Sequence, residues 1–490
     1  MSKSYEIVRY AGMPFAQTHP DRLATTAWLF GMTPRPIHKA RILEIGCCDG
    51  GNLIPMAMSQ PGSEFVGIDL TAPDIELANA LVEALGLSNI KFHAFDLNEL
   101  PGAFGQFDYI IAHGLYSWIP AAIRENFLSR IQASLAPNGV AYVSYNVLPG
   151  GHMRMMIREM MLYHIRGVED PAEKLTRCRQ LLQFICEASG RDVEYQSFIR
   201  QETETIFSRP DYGLFHDELE ENYHPVYFHE FAAHLERSGL QYLSEANYFD
   251  TCVEAVGGVD SPVFDEISGD RLLREQYLDF ARCRRFRQTL VCHQDIKIDG
   301  KLQLERLNEC FIACPATQVE PGEDSDPGVE EFHGPKQSKI KTAHPVVLRI
   351  LHRIVDAWPN AIPFSDVAAG EGNLESVREI IHAMYSSGLI EIRMSPPVFA
   401  LVPSDRPVAS LLARWQAARG GPITTLRHAM IAANGEVERR LISLLDGTRT
   451  RQELFAELAP MLVTGKSEAE LKAELESSLN TLGRLCLLTS

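Results

Sequence analysis

The 490-residue chain predicts an α/β fold: a mainly parallel sheet covered by helices on both faces, broken by a helical insertion and followed by two small helix-rich modules. Three observations carry that expectation. Apolar runs of strand length alternate with helical patterns from Arg41 to Asn146. A helical stretch from His152 to about Arg200 then interrupts the rhythm. The C-terminal third contains a weak internal repeat, each copy a short helix, a longer helix, a small turn and a brief strand-like end.

Taken in order, "RILEIG" is a buried strand and "NLIPMAMSQ" a helix after a glycine turn. "SEFVGIDL" is a second strand, and "APDIELANALVEALG" a helix with Pro73 in its first turn, where a missing N–H costs nothing. "NIKFHAF" and "QFDYIIAHG" are the third and fourth strands, "AAIRENFLSRIQASL" a helix and "GVAYVSYN" the fifth strand. Strands alternating with helices at this spacing indicate a parallel sheet buried on both sides. Further on, "LQYLSEAN" and "RQTLVCH" each follow a helical pattern, and both are expected to complete the same sheet. The expected organisation is therefore a discontinuous core, residues 1–150 and 224–297, with a helical insertion at 151–223. Residues 298–343, which include the acidic, Pro- and Gly-rich "PATQVEPGEDSDPGVEEFHGPKQSK", read as a linker or long exposed loop. Residues 344–490 read as tandem winged-helix-like modules.

A formal net charge of −18 argues against a general nucleic-acid binder, because phosphate contacts need concentrated Lys and Arg. No apolar run of about eighteen residues suggests a membrane span, and a cytoplasmic location is expected. The ten cysteines have no framework spacing, and the nearest approach to a metal pattern, Cys292, His293, Cys310 and Cys314, lacks a C-x-x-C knuckle; no metal site is expected. The second C-terminal module's helix "SEAELKAELESSLN" is too acidic for DNA and suits a scaffold, a homodimer contact or substrate presentation.

Chemistry is expected at the carboxyl ends of the strands, where open parallel sheets bind ligands. Glu44, Gly46 and Gly50 lie there after the first strand, Asp69 ends the second and Asp96 the third. Glycine lets a backbone approach a ligand, and the following helix offers free N–H groups. An acid at Asp69 can accept two ribose hydroxyls, and Asp96 can meet an adenine amino group. The loop "GCCDGG" lacks the G-x-G-x-x-G spacing of a dinucleotide site. E-x-G-x-x-x-G followed by two strand-end acids suits S-adenosylmethionine, which carries no phosphate. Cys47 and Cys48 in that loop are a poor metal or disulfide pair, since neighbouring Cα atoms are about 3.8 Å apart and bridges need about 4.4–6.8 Å. Cys47 is expected to pack under the turn as a small apolar residue.

"LEIGCCDGGNLIPMA", "HGLYSWIP", "YNVLPGG" and "PFAQTHPDRLAT" resemble the class I, Rossmann-like methyltransferases that carry a methyltransferase regulatory domain, and "HDELEENYHPVYFHEF" and "QYLDFARCRRFRQTLVCH" resemble that domain. The whole arrangement is similar to the rickettsial protein lysine methyltransferases that act on outer-membrane proteins. The resemblance implies S-adenosylmethionine as donor and lysine side chains of a protein acceptor as substrate. It carries cofactor contacts onto Glu44, Gly46, Gly50, Asn52, Asp69, Asp96 and Leu97, and onto Gln17, Thr18 and His19 of an N-terminal segment folding over the cofactor. It places His113, Tyr116 and Trp118 after the fourth strand, and Tyr145 and Asn146 at the end of the fifth, around the reaction centre. Cys48 stands where similar enzymes have a second glycine. A helix cap for His19 and core positions for Tyr116 and Trp118 are the competing readings. Methylation of a small metabolite or lipid-linked sugar, and a non-catalytic S-adenosylmethionine-binding regulator, are the alternatives for function.

Overall fold

The computed structural model describes residues 8–96, 105–188, 192–252, 261–267, 269–320, 326, 328–462 and 466–490. An N-terminal strap leads into helix α1 (Pro20–Leu29) and then into the alternating unit: β1 (Arg41–Ile45), α2 (Leu53–Ser59), β2 (Glu64–Asp69), α3 (Ala72–Leu85), β3 (Ile90–Ala94), β4 (Phe107–Ala112), α4 (Ala121–Ser134) and β5 (Leu135–Asn146). Local signals mark the ends. Pro73 opens α3, and Gly86 closes it in the left-handed region at φ 64°.

The chain leaves the sheet after β5 for three helices, α5 (Gly150–His164), α6 (Pro171–Glu187) and α7 (Val193–Phe207), followed by a short helical stretch to Glu218. These bury their own core, with Ile157, Met161, Cys178, Leu182, Ile199 and Ile206. The chain returns through α8 (Phe228–Arg237), β6 (Leu240–Glu245), α9 (Arg271–Arg282) and β7 (Phe286–His293). The seven-stranded order is β3-β2-β1-β4-β5-β7-β6. The first five strands run parallel, and β7 pairs antiparallel with both β5 and β6.

The period-2 alternation of the strands divides the core in two. Ile42, Tyr109, Ile111, Val140 and Tyr142 face one layer, with Leu23 and Ala27 of α1. Leu43, Ile110, Ala141, Val143 and Tyr145 face the other, with Phe228 and Phe231 of α8. The first layer also contains Leu412 of the C-terminal region, so that region is packed into the sheet's own core.

Residues 298–343 depart from the linker expected of them. β8 (Phe311–Ala313) is the central strand of a three-stranded sheet with β12 (Ile362–Pro363) and β13 (Glu391–Arg393). β9 (Thr317–Val319), β10 (Glu330–His333) and β11 (Lys339–Thr342) form another. β8 is only three apolar residues long, and β9, β10 and β11 are three or four residues long and mostly polar, with few apolar members such as the fully buried Phe332, too little for a periodic signal. Residues 321–325 and 327 of that stretch lie outside the described residues. The first C-terminal module thus begins with β8 and continues through helices at 345–356 and 374–386. The last contains helices at 411–419, 436–444, 451–458 and 468–484 and the hairpin of β14 (Ile423–Thr424) and β15 (Met430–Ile431). Among the described residues, no helix is long and apolar enough to cross a membrane.

Candidate cofactor and acceptor site

The loop after β1 is bent by three left-handed residues: Gly46 at φ 76°, Cys48 at φ 47° and Gly50 at φ 78°. Gly46 and Cys47 donate their N–H groups to the Ile68 carbonyl, which ties the loop to β2. Cys47 is buried against the sheet. The Cys48 N–H donates to Asp69 Oδ2 at 2.9 Å, and the Thr71 N–H donates to Asp69 Oδ1 at 2.9 Å, so the strand-end carboxylate is held rigid.

The N-terminal strap lies across this loop. Arg9 pairs with Asp49 and, at 3.1 Å, with Asp74. A Cβ on Gly51 would come within 2.4 Å of the Gly12 carbonyl, so the strap and the loop meet backbone to backbone. The other edge of the strap rests on the insertion, where His216 bonds the Val8 carbonyl and Tyr10 packs edge-on to Tyr212 at 5.2 Å.

Loop, strap and insertion enclose an open cavity of about 900 Å³. Glu44, Gly46, Cys48, Asn52, Asp69 and Asp96 line one end. His113, Trp118 and Asn146 line the middle, and Arg154, Glu202, Arg209, Asp217, Glu218 and Glu220 the insertion end. Glu44 is buried, and its Oε1 accepts from Asn52 Nδ2 at 2.7 Å. Its Oε2 is buried with no hydrogen-bond partner among the described residues. Burial, opposed by the Asn52 amide and reinforced by the charge of Asp69, pushes the Glu44 carboxyl up to about 8.

His113 bonds the Tyr142 hydroxyl at 2.9 Å and the Ser144 hydroxyl at 3.2 Å, and its ring lies 4.0 Å from that of Phe15. Burial brings its imidazole down to about 4, so it is neutral near pH 7. Trp118 packs against Tyr223 at 5.1 Å, with the Arg154 and Arg158 guanidinium groups over the indole. The Asn146 side chain accepts from Arg154 at 3.1 Å.

Several residues expected at the site face elsewhere. Tyr145 is buried on the opposite layer, stacked on Phe231 at 4.0 Å, with its hydroxyl 3.0 Å from Thr289. Tyr116 is buried in the same layer, its hydroxyl 2.9 Å from His234. Both are core aromatics, not walls of the cavity. His19 caps α1 by accepting the Asp21 N–H at 3.2 Å. Thr18 is fully buried beside Asn52, and Gln17 bonds the Tyr142 hydroxyl. Those three seat α1, while Tyr10, Gly12, Met13 and Phe15 of the same strap line the cavity instead. Gly50 is a packing residue, since a Cβ there would overlap Phe92 at 2.6 Å. Leu97 lies outside the described residues. Of the insertion-end residues, Asp217, Glu218 and Glu220 lie in the stretch "HDELEENYHPVYFHEF" that resembles the regulatory domain, but no pattern there marked them as facing the cavity.

Cys292 packs in the sheet core, and Cys310 and Cys314 in the first C-terminal module. Among the described residues, no three His, Cys, Asp or Glu side chains are grouped to hold a metal.

An acidic end with one unsatisfied buried carboxylate oxygen fits S-adenosylmethionine, whose ammonium and sulfonium are cationic. Glu44 would meet the amino acid part, Asp69 the ribose and Asp96 the adenine. The cofactor supplies an activated methyl for in-line displacement. What such a displacement asks of the protein is alignment of the acceptor with that methyl.

Comparison with known proteins agrees with this geometry. Residues 42–139 match a methyltransferase domain, 210–293 a predicted methyltransferase regulatory domain, and 405–485 the C-terminal winged helix domain of PKMT. An uncharacterized protein of Rickettsia prowazekii is 31% identical over 96% of this chain and 90% of its own length. A second from the same organism is 36% identical over 46% of this chain and 92% of its own. The structure of PKMT2 from Rickettsia typhi in complex with AdoHcy superposes with a TM-score of 0.86 at 27% identity, covering 98% of this chain and 100% of that one. The chain therefore belongs to the class I S-adenosylmethionine-dependent methyltransferases that join a methyltransferase regulatory domain to a PKMT-type C-terminal winged helix.

Proposed function

We propose that this methyltransferase N-methylates lysine side chains of a protein acceptor. The observation that carries the reading is the continuity of the cavity. From Glu44 and Asp69 it runs past His113 and Trp118 to an end built by the insertion, and its volume of about 900 Å³ leaves room beyond the donor for a long side chain. Glu202, Asp217 and Glu218 line that end paired with Arg285, Arg209 and Arg154, so its wall is polar and charge-balanced, suited to the polar backbone that carries a protein side chain. A lysine must then lose a proton, from an ordinary pKa of about 10.4. The dry surroundings that hold His113 down to about 4 act on an amine in the same direction, because burial penalises the charged form. Glu44, Asp69 and Asp96 hold the donor, and Trp118 and Asn146 border the transfer path. The likeness to PKMT2 supports the same acceptor class.

The test is incubation of the full chain with methyl-tritiated S-adenosylmethionine and a host lysate, followed by acid hydrolysis of the protein fraction. Labelled Nε-methyl-lysine is the expected product. Label confined to small molecules, or to another amino acid, overturns the reading.

A further inference from the structure

We propose that His428, carried by the β14–β15 hairpin of the C-terminal module, is a positioning residue of the cofactor site. Through Asn52 it fixes the Glu44 carboxylate, so that cofactor binding and seating of the hairpin are coupled. The inference rests on the placement of the donor's amino group at Glu44.

Asn52 is the hub. Its Oδ1 accepts the Phe15 N–H at 2.8 Å, and a backbone N–H can only donate, so the amide's orientation is settled. Its Nδ2 therefore faces Glu44 Oε1 at 2.7 Å and Thr18 Oγ1 at 3.0 Å. Besides a longer contact with Thr18 Oγ1 at 3.4 Å, Oδ1 lies 2.8 Å from Nε2 of His428, 376 positions away in sequence. His428 must then donate from Nε2. Burial, with Arg393 and Arg22 nearby, brings its imidazole down to about 3, in keeping with a neutral ring protonated on that nitrogen. Strap, loop, catalytic-domain acid and C-terminal module thus meet at one amide.

The hairpin is shaped to deliver this contact. His428 sits at its turn with φ 59°, a conformation that His tolerates better than most residues. The turn is closed by Thr425 N–H to the Ala429 carbonyl at 2.8 Å and anchored by Leu426 N–H to the Cys486 carbonyl at 2.8 Å. His428 is buried, and its ring lies 5.5 Å from that of His19, the cap of α1. A structural role alone would not require its donor to end on the residue that holds Glu44. Coupling of this kind is reciprocal: what the hairpin does for the cofactor, the cofactor does for the hairpin.

The experiment uses the full chain and S-adenosylhomocysteine. His428→Asn keeps the backbone conformation but withdraws the donor; His428→Gln keeps a donor near the Nε2 position. Calorimetric titration is expected to show affinity about tenfold weaker for the Asn variant and within about threefold of wild type for the Gln variant. Hydrogen exchange is expected to show slower exchange of amides 425–431 when ligand binds wild type, an effect lost in His428→Asn. Undiminished affinity in the Asn variant, equal losses in both variants, or no ligand response at 425–431 overturns the coupling. If the Asn variant does not fold, the wild-type exchange response decides alone. Glu44→Gln separates the underlying reading: unchanged affinity there removes Glu44 from the site, and the coupling with it.

Discussion

Glu44 has one carboxylate oxygen held by Asn52 and the other buried without a partner, and its carboxyl is pushed up to about 8. A cationic amino group arriving there selects the ionised form. Below pH 8 the unliganded carboxyl holds a proton that binding must release, so affinity is expected to rise with pH up to about 8, above which the ligand's own amino group begins to lose the charge that Glu44 meets. The slope well below that value approaches about tenfold per pH unit. Titration of S-adenosylhomocysteine across that range checks it, together with proton release in buffers of different ionisation heat. Glu44→Gln is expected to bind more weakly and with a flat profile. The strand-end acids were legible in the sequence because a strand, a glycine turn and a helix leave little choice of where they point. Tyr145 and Tyr116 were not. Tyr145 follows the buried Ser144 by one residue, and a single step along a strand moves a side chain to the opposite face of the sheet.

The β1–α2 loop carries a different lesson. Cys48 adopts φ 47°, the conformation that makes a glycine the usual choice, and its N–H serves Asp69. Relief of the left-handed penalty of about 1–2 kcal/mol outweighs glycine's extra chain entropy of about 0.5–1 kcal/mol. Cys48→Gly is therefore expected to raise stability by roughly 0.5–1 kcal/mol, read from urea unfolding, and to keep S-adenosylhomocysteine binding. A less stable variant would show that the thiol's packing against the cavity wall matters more than the backbone. The strap was legible as a segment but not residue by residue. Its lining side chains, Tyr10 and Phe15, are set by contacts with Tyr212 and His113, which are remote in sequence. Of the short strands between 311 and 342, β8 is made a strand by pairing with the distant β12 and β13, while β9, β10 and β11 pair with one another but are too short and polar for local periodicity to mark them.

At the scale of the molecule, three parts of the chain converge on Glu391 at the start of β13. Arg22 of α1 approaches it at 2.9 Å, Arg393 at 3.1 Å and Arg427 of the β14–β15 hairpin at 2.7 Å. Arg393 also reaches Asp21 at 3.6 Å. Leu412 enters the sheet core from the same side, and Leu29 of α1 enters the core of the first C-terminal module. The catalytic domain and C-terminal modules are thus welded through α1, a relation that no sequence pattern reveals, because its ionic partners lie up to 372 positions apart, from Asp21 to Arg393. Burial opposes ionisation of Glu391, but the three guanidinium groups prevail and hold its carboxyl down to about 2. A carboxyl depressed in the fold contributes stability above its unfolded value, near 4.5, and loses it as pH falls toward about 2. Glu391→Gln leaves three cations without their shared acid and is expected to cost about 2–4 kcal/mol at neutral pH, somewhat less than a fully buried pair because the carboxylate keeps some exposure to water. The cost is expected to shrink below about pH 4, where the wild-type carboxylate begins to give up its own contribution. Urea unfolding of both proteins from neutral pH downward measures the difference. A constant difference across that range would mean that the glutamate acts through packing, and that the weld between the modules is apolar.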